Sequence, residues 1–227
     1  MPIREYIKRP NVSLFEVLTK TGKIKKTNPR VGLIVLATDV MIEKDFLKVF
    51  SRVPADLYVN RITNYNPVTA ENLKKMTNKI TSVTENILPG EKIDCIVYGC
   101  TSGTIAAGYD SIEKKVKAAK PNSKLTTPSS AAIKALKKLN AKNLSIFTPY
   151  SKNLNDEVIN YFLKEGFNVV SNNYLDIAAD YEIGKVDQEF LYKTLLNIDM
   201  KEADALFISC TALPVLNIID KLEKKLN

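Results

Sequence analysis

Two cysteines, Cys100 and Cys210, stand in matching sequence frames. Each follows a short apolar run typical of a buried strand, and each precedes a threonine and a segment with a helical pattern. The N–H groups and dipole of a following helix stabilise a thiolate, so we expect both thiols to have pKa values below about 8.5. The chain has no histidine, which is the usual general base. The sequence therefore predicts a pair of reactive thiols that exchange protons with a substrate.

The third cysteine, Cys95, has a simpler interpretation. It lies within an apolar strand pattern, and cysteine is among the most frequently buried residue types, so we expect it in the core. Simple burial is also possible for Cys100 and Cys210, but their duplicated context favours function. Three cysteines in these contexts do not indicate a disulfide framework, and a reducing cytoplasm is the expected location.

Composition excludes several classes of function. The net charge is +8, yet the lysines are spread over helical patterns without interleaved aromatic residues and outnumber arginine, so we expect no nucleic-acid partner. The charge favours at most a mild attraction for anionic metabolites. We expect neither a membrane span, which needs about 18 consecutive apolar residues, nor a signal peptide, because the amino terminus is charged.

Strand and helix patterns alternate after a polar, basic N-terminal extension at 1–29. We expect this extension to cover a domain face, to join a subunit interface or to stay partly disordered. This alternation predicts an α/β fold with parallel sheets and right-handed crossovers. Predicted strands lie at 31–37, 56–60, 93–99, 144–148, 166–170 and 203–209, and predicted helices at 41–50, 69–88, 127–139, 155–164 and 187–200.

The two halves of the chain have similar patterns, each with a first strand ending in a polar loop and a later strand ending in Cys-Thr. We therefore predict two pseudo-symmetric domains, although any doubly wound protein has loosely similar halves. The first comprises 30–125 and a C-terminal helix at 213–227, and the second comprises 126–212. Ligands bind at the carboxyl ends of parallel strands, so the expected site lies in the cleft between the domains.

Five segments, at 32–39, 98–104, 147–150, 180–184 and 209–214, together resemble the aspartate/glutamate racemase superfamily. The resemblance covers about 30–227 and is nearest to the branches of maleate cis–trans isomerase, arylmalonate decarboxylase and the ectoine-utilisation protein. The Leu-Ala-Thr-Asp stretch at 36–39 is most similar to the ectoine-utilisation branch, since maleate isomerases tend to carry Pro-Ser-Ser-Asn there. The decarboxylases keep only the second cysteine, so two cysteines favour a two-sided reaction.

The chemistry expected of such a site is proton transfer at a carbon α to a carboxylate. The anionic intermediate needs hydrogen-bond donors at the carboxylate oxygens, and the resemblance gives that role to Thr101, Ser102 and Tyr150. Stereoinversion needs a base on one face of the carbon and an acid on the other, which Cys100 and Cys210 supply without metal or cofactor. Three alternatives remain. One thiolate could add to a double bond, as in maleate isomerisation; the substrate could be an amino acid that is racemised; or the protein could be a non-catalytic sensor of small molecules.

Two aspartates modify this expectation. In the maleate isomerase-like proteins that the chain resembles, Asn occupies the position of Asp39, and an Asn matches Asp180 as well. An ionised Asp only accepts hydrogen bonds, so the pair favours a substrate with one carboxylate and a cationic head, such as the amidinium of ectoine or hydroxyectoine. Three of these polar residues also have a structural alternative. Asp39 could be a helix N-cap and Tyr150 could cap a loop. We expect Thr104 to be an ordinary helix-start residue. Thr211 is a further expected binding residue, and the resemblance implies a homo-oligomer.

Overall fold

Two parallel sheets, each flanked by helices, form the fold in the computed structural model, which describes residues 28–226. The predicted α/β class is confirmed. The first sheet has the strand order β2-β1-β3-β4, with β1 (Arg30–Leu36), β2 (Asp56–Ile62), β3 (Cys95–Tyr98) and β4 (Lys124–Thr126). The second has the order β6-β5-β7, with β5 (Asn143–Thr148), β6 (Asn168–Tyr174) and β7 (Ala205–Ile208).

Helices lie between the strands along the chain, and one more follows the last strand. Those that accompany the first sheet are α1 (Ile42–Phe50), α2 (Ala70–Met76), α3 (Ile80–Glu85), α4 (Thr101–Ala107) and α5 (Tyr109–Ala119). Those that accompany the second are α6 (Pro128–Lys138), α7 (Lys152–Lys164), α8 (Asp180–Ile183), α9 (Gln188–Leu196) and α10 (Ile219–Leu226). The sequence patterns did not predict β4 or α8.

The continuous apolar runs that predict buried parallel strands belong to the central strands β1 and β5. Leu33 to Leu36 are all buried, as are Leu144 to Thr148, so both faces of these strands are covered. The halves meet through α4, which packs against both α6 and α7. The helix that begins beside Cys100 therefore lies at the junction of the two sheets.

The helix predicted at 69–88 is present from Ala70 to Glu85, but it is not one regular α-helix. Thr69 does cap its start by accepting a hydrogen bond from the Asn72 N–H, but α2 ends at Met76 and a short 3₁₀ turn separates it from α3. Hydroxyl groups of Thr77 and Thr84 donate to backbone carbonyls of the preceding turn. The Thr77 bond lies where α2 ends and the 3₁₀ turn begins, and a local bond of this kind competes with regular helix geometry.

The predicted division into domains stays a prediction, and the C-terminal segment touches elements of both halves. Helix α10 packs on α9, which belongs to the second half, whereas Lys48 Nζ in α1 donates to Asn217 Oδ1 at 2.5 Å. The predicted extension at 1–29 lies outside the described residues except for its last two positions.

Candidate active site

Cys100 lies where the sequence predicts it, between the end of β3 and the start of α4. It is the N-cap residue of α4, and its sulfur accepts a hydrogen bond from the Gly103 N–H at 3.2 Å. The Thr104 hydroxyl donates to the Cys100 carbonyl at 2.7 Å, which confirms its ordinary role at a helix start. The thiol is only 4% exposed.

Gly103 permits close packing around that sulfur. A Cβ atom at this position would lie 2.7 Å from the Tyr98 hydroxyl oxygen and 2.8 Å from Cys100 Sγ. Distances this short are not tolerated between non-bonded atoms, so a side chain would displace one of the two groups. Glycine in the first turn of α4 is therefore a requirement of the site.

Thr101 and Ser102 are both buried in the first turn of α4. Ser102 Oγ is 3.9 Å from Cys100 Sγ, close to the limit for a hydrogen bond to sulfur. These two predicted binding residues thus lie at the thiol, at the junction of the two halves.

Cys210 lies just after β7, but in the described chain no helix starts directly after it: the C-terminal helix predicted at 213–227 begins only at Ile219. Leu213 N–H donates to the Cys210 carbonyl at 3.3 Å in a turn. In a helix capped by Cys210, Pro214 would be the fourth residue, where it has no N–H to donate to the Cys210 carbonyl and its ring would clash with that carbonyl. Cys210 itself has φ 84, an uncommon and strained conformation for a residue other than glycine.

The Tyr150 hydroxyl links the two cysteine loops. It is fully buried and accepts a hydrogen bond from Ser209 Oγ at 3.3 Å, which leaves its own proton free to be donated. Burial raises the pKa of Tyr150 well above its ordinary value, and negative charge on Cys210 or Cys100 would raise it further. The hydroxyl is therefore a proton donor that borders both thiols.

The expected lowering of the thiol pKa values is wrong for both cysteines. Burial raises the pKa of Cys100 to about 12, and the Asp180 and Asp39 carboxylates oppose ionisation further, although the Gly103 N–H favours it. Burial also raises the pKa of Cys210 well above its ordinary value, again with both aspartates adding to the effect. Desolvation in this site outweighs the helix terminus that the sequence suggested.

Asp39 both caps a helix and faces the site. Its Oδ1 accepts hydrogen bonds from the N–H groups of Met41 at 2.8 Å and Ile42 at 2.9 Å, at the start of α1. Its Oδ2 accepts from the Thr211 hydroxyl at 3.1 Å. Asp39 and Thr211, both predicted as binding residues, are thus in direct contact.

Asp180 is buried at the start of α8, and its Oδ2 accepts a hydrogen bond from Thr38 Oγ1 at 2.9 Å. Burial raises its pKa to about 6, the negative charge of Asp39 adds to the increase, and the Thr38 hydrogen bond reduces it. The two aspartates are therefore electrostatically coupled neighbours of both thiols.

Three further polar residues join the site without having been predicted. Thr38 accepts a hydrogen bond from Asn64 Nδ2 at 2.7 Å and so connects Asn64 to Asp180. Asn64 Oδ1 and the Tyr98 hydroxyl are buried without a hydrogen-bond partner among the described residues. Asn64 follows β2 and Tyr98 ends β3, so the rule that ligands bind at strand carboxyl ends was the available signal.

A largely apolar cavity of about 720 Å³ reaches the second cysteine from the outer side of β7. Leu136, Leu206 and Leu222 are among its lining residues, and it meets the site at Cys210 and Thr211. Across residues 28–226, no three His, Cys, Asp or Glu side chains are grouped closely enough to hold a metal ion. In the same part of the chain no helix has the length and apolar character needed to cross a membrane.

Curated relatives of this chain include maleate isomerases. That of Nocardia farcinica is 26% identical over 206 residues, covering 86% of this chain and 82% of the relative. That of Geobacillus stearothermophilus is 25% identical over 211 residues, covering 87% and 84%.

Solved structures share the fold. A maleate cis-trans isomerase of Nocardia farcinica with a covalently bound succinylcysteine intermediate has a TM-score of 0.79 at 22% identity, covering 87% of this chain and 84% of the other. A liganded double mutant of arylmalonate decarboxylase has a TM-score of 0.75 at 18% identity, with the same coverage. The family model described as arylmalonate decarboxylase matches residues 68–227, which include both cysteines, Tyr150 and Asp180. The chain therefore belongs to the arylmalonate decarboxylase family.

Proposed function

We propose that this chain is a cofactor-independent isomerase that uses two cysteines to move a proton at a carbon α to a carboxylate. The observation that carries the proposal is the position of the Tyr150 hydroxyl, which accepts a hydrogen bond from Ser209, the residue before Cys210, and lies close enough to Cys100 for a charge on that sulfur to raise its pKa. One thiol comes from each half of the chain, so a carbon bound beside this hydroxyl can be approached from two sides. The family and the maleate isomerase relatives support an isomerase.

The reaction requires one thiolate and one thiol. The thiolate removes the α-proton, so an S–H bond forms, the C–H bond breaks and its electron pair moves onto the substrate carboxylate as an ene-diolate. The opposite thiol then gives its proton to the other face of the carbon. Tyr150, Thr101 and Ser102 donate to the carboxylate oxygens on which the extra charge accumulates.

The substrate class follows from the acceptors on the Asp39 side of the site. Asp39, Asp180 and the unpartnered Oδ1 of Asn64 are all hydrogen-bond acceptors, and both carboxylates oppose additional negative charge. A cationic group satisfies such acceptors, whereas a second carboxylate is repelled by them. We therefore favour an acid with one carboxylate and an amidinium or ammonium group, of which ectoine and hydroxyectoine are examples.

The same charges explain how a thiolate forms in a site that disfavours it. In the free enzyme, burial and the two aspartates keep Cys100 protonated, with a pKa of about 12. A cationic head placed between Asp39 and Asp180 cancels their effect on the thiols. Substrate binding thereby lowers the thiol pKa, and base formation is coupled to the correct substrate.

Maleate-type isomerisation is the second candidate, favoured by the names of the relatives. In that reaction one thiolate adds to the double bond, the new single bond rotates, and the thiolate leaves again. A dicarboxylate would add two negative charges beside Asp39 and Asp180, which makes this substrate a poorer match to the site. An amino-acid substrate is also compatible with the acceptors.

Incubation in deuterated water distinguishes these functions. The expected result is loss of the α-proton NMR signal of ectoine, hydroxyectoine or an amino acid, with no fumarate formed from maleate. Fumarate formation without exchange would overturn the proposal in favour of the maleate reaction. Thermal stabilisation by a ligand, with neither reaction and with thiols inert to alkylation, would instead indicate a sensor.

A further inference from the structure

The Tyr98 hydroxyl is a buried polar group without a hydrogen-bond partner among the described residues, on a side chain with 0% exposure. An unsatisfied buried hydroxyl is unfavourable, and a phenylalanine would fill the same space without that disadvantage. We therefore expect this hydroxyl, at the end of β3, to form a hydrogen bond in another state of the protein.

The Cys100 thiol lies close to this hydroxyl. Tyr98 Oη and Cys100 Sγ both lie within 3 Å of the point that a Gly103 Cβ would occupy, at 2.7 Å and 2.8 Å. Burial raises the pKa of Tyr98 well above its ordinary value, as do the charge that Cys100 would carry and the hydrogen bond that Tyr98 would then give it. Tyr98 therefore stays protonated and can only donate to an ionised sulfur.

A neutral thiol is a weak hydrogen-bond acceptor, whereas a thiolate is a strong one. A donor that is fixed in place but unsatisfied beside the thiol becomes satisfied when the thiol ionises. The hydrogen bond then stabilises the thiolate but not the neutral thiol. Stabilisation that is stronger in the reacting state than in the resting state accelerates a reaction.

We propose that Tyr98 is a positioning residue for Cys100, and that its hydroxyl donates to the sulfur once the thiol has lost its proton. The inference deepens the proposed function and rests on Cys100 acting as a thiolate during the reaction. The other groups that face the sulfur are the Gly103 N–H and Ser102, which favour the thiolate, and Asp180 and Asp39, which oppose it. Tyr150 borders it from the second half of the chain.

The substitution Tyr98→Phe tests this inference through the acidity of Cys100. The rate of iodoacetamide modification of Cys100 is followed by mass spectrometry between pH 7 and pH 10. Cys95, which lies in the same strand as Tyr98, is the internal reference. Below the pKa, the rate follows the thiolate fraction, so each unit of increase in pKa lowers it about tenfold. We expect a loss of about tenfold at every pH in Tyr98→Phe and no change in Tyr109→Phe, whose hydroxyl donates to the Leu125 carbonyl instead.

Unchanged Cys100 reactivity in Tyr98→Phe would overturn the inference. So would loss of folding, because removal of an unpartnered hydroxyl should leave the melting temperature equal or higher. The measurement needs no substrate, so it is independent of the proposed function. A reactivity change without turnover of any candidate acid would contradict the proposed isomerase while supporting the role of Tyr98.

Discussion

Thr211 Oγ1 lies 3.1 Å from Asp39 Oδ2 and joins residues that are 172 positions apart in the chain. The same hydroxyl lies 3.1 Å from the carbonyl of Gly99, the residue before Cys100. Thr211 follows Cys210 directly, so one hydroxyl fixes both cysteine loops relative to the aspartate. We therefore expect the distance between the two thiols to depend on this contact.

Replacement of Thr211 tests that dependence. Thr211→Val keeps the shape of the side chain but leaves Asp39 Oδ2 without its donor, which costs about 1–3 kcal/mol of stability for a buried acceptor. We expect turnover to fall about tenfold or more, because small displacements of reacting groups strongly lower the reaction rate. Thr211→Ser keeps the hydroxyl and should retain most activity in the same steady-state assay. Equal activity of the two variants would show that the contact does not position the thiols.

The raised pKa of Asp180 predicts a pH dependence of stability. Its pKa of about 6 in the folded protein exceeds the ordinary 3.8, so the fold favours the protonated form. The corresponding stabilisation is fully present below about pH 4 and is lost as the pH rises through about 6, by at most about 3 kcal/mol. Asp180→Asn should therefore raise the melting temperature at pH 7.5 but not at pH 4, while it weakens binding of a cationic substrate.

Asp45 provides the matched control for that experiment. Burial, with a contribution from Asp39, raises its pKa to about 6 as well, but it has no predicted contact with substrate. Asp45→Asn should reproduce part of the stability change and leave the Michaelis constant intact. Loss of substrate binding in both variants, or in neither, would contradict the role given to Asp180.

Gly103→Ala separates helix propensity from the needs of the site. Alanine is favoured over glycine in helices by about 1 kcal/mol, so an unconstrained helix would gain stability. Here the new methyl group meets Tyr98 Oη and Cys100 Sγ at less than 3 Å. We expect a lower melting temperature and loss of activity, measured by thermal unfolding and proton exchange. A more stable and active variant would refute the close packing at Cys100.

The sequence was sufficient for features that depend on neighbouring residues. The alternation of strands and helices, the N-cap position of Cys100, and the capping contacts of Thr69 and Asp39 are all local, and the structure contains them. Pro214 was visible in the sequence as well, and its effect on the turn after Cys210 was the signal that we underestimated.

The remaining features depend on contacts between distant residues. The thiol pKa values rise because of burial by the whole fold and because Asp39 and Asp180 approach from separate loops. The partnerless Asn64 Oδ1 and Tyr98 hydroxyl are recognisable only when every neighbour is placed. A periodic apolar pattern likewise does not reveal the bond from the Thr77 hydroxyl to the Lys74 carbonyl at the junction of α2 and the 3₁₀ turn.

The central claim is that Cys100 and Cys210 serve opposite faces of one carbon, and single variants test it most directly. A single enantiomer of an ectoine-type acid is incubated in deuterated water with the wild type, Cys100→Ser, Cys210→Ser and the double variant. NMR and chiral chromatography then follow α-proton exchange and inversion. We expect exchange with inversion in the wild type and no inversion in either single variant. Exchange on one face should persist in at most one single variant, and the double variant should show neither exchange nor inversion. Inversion that persists in a single variant would contradict the claim.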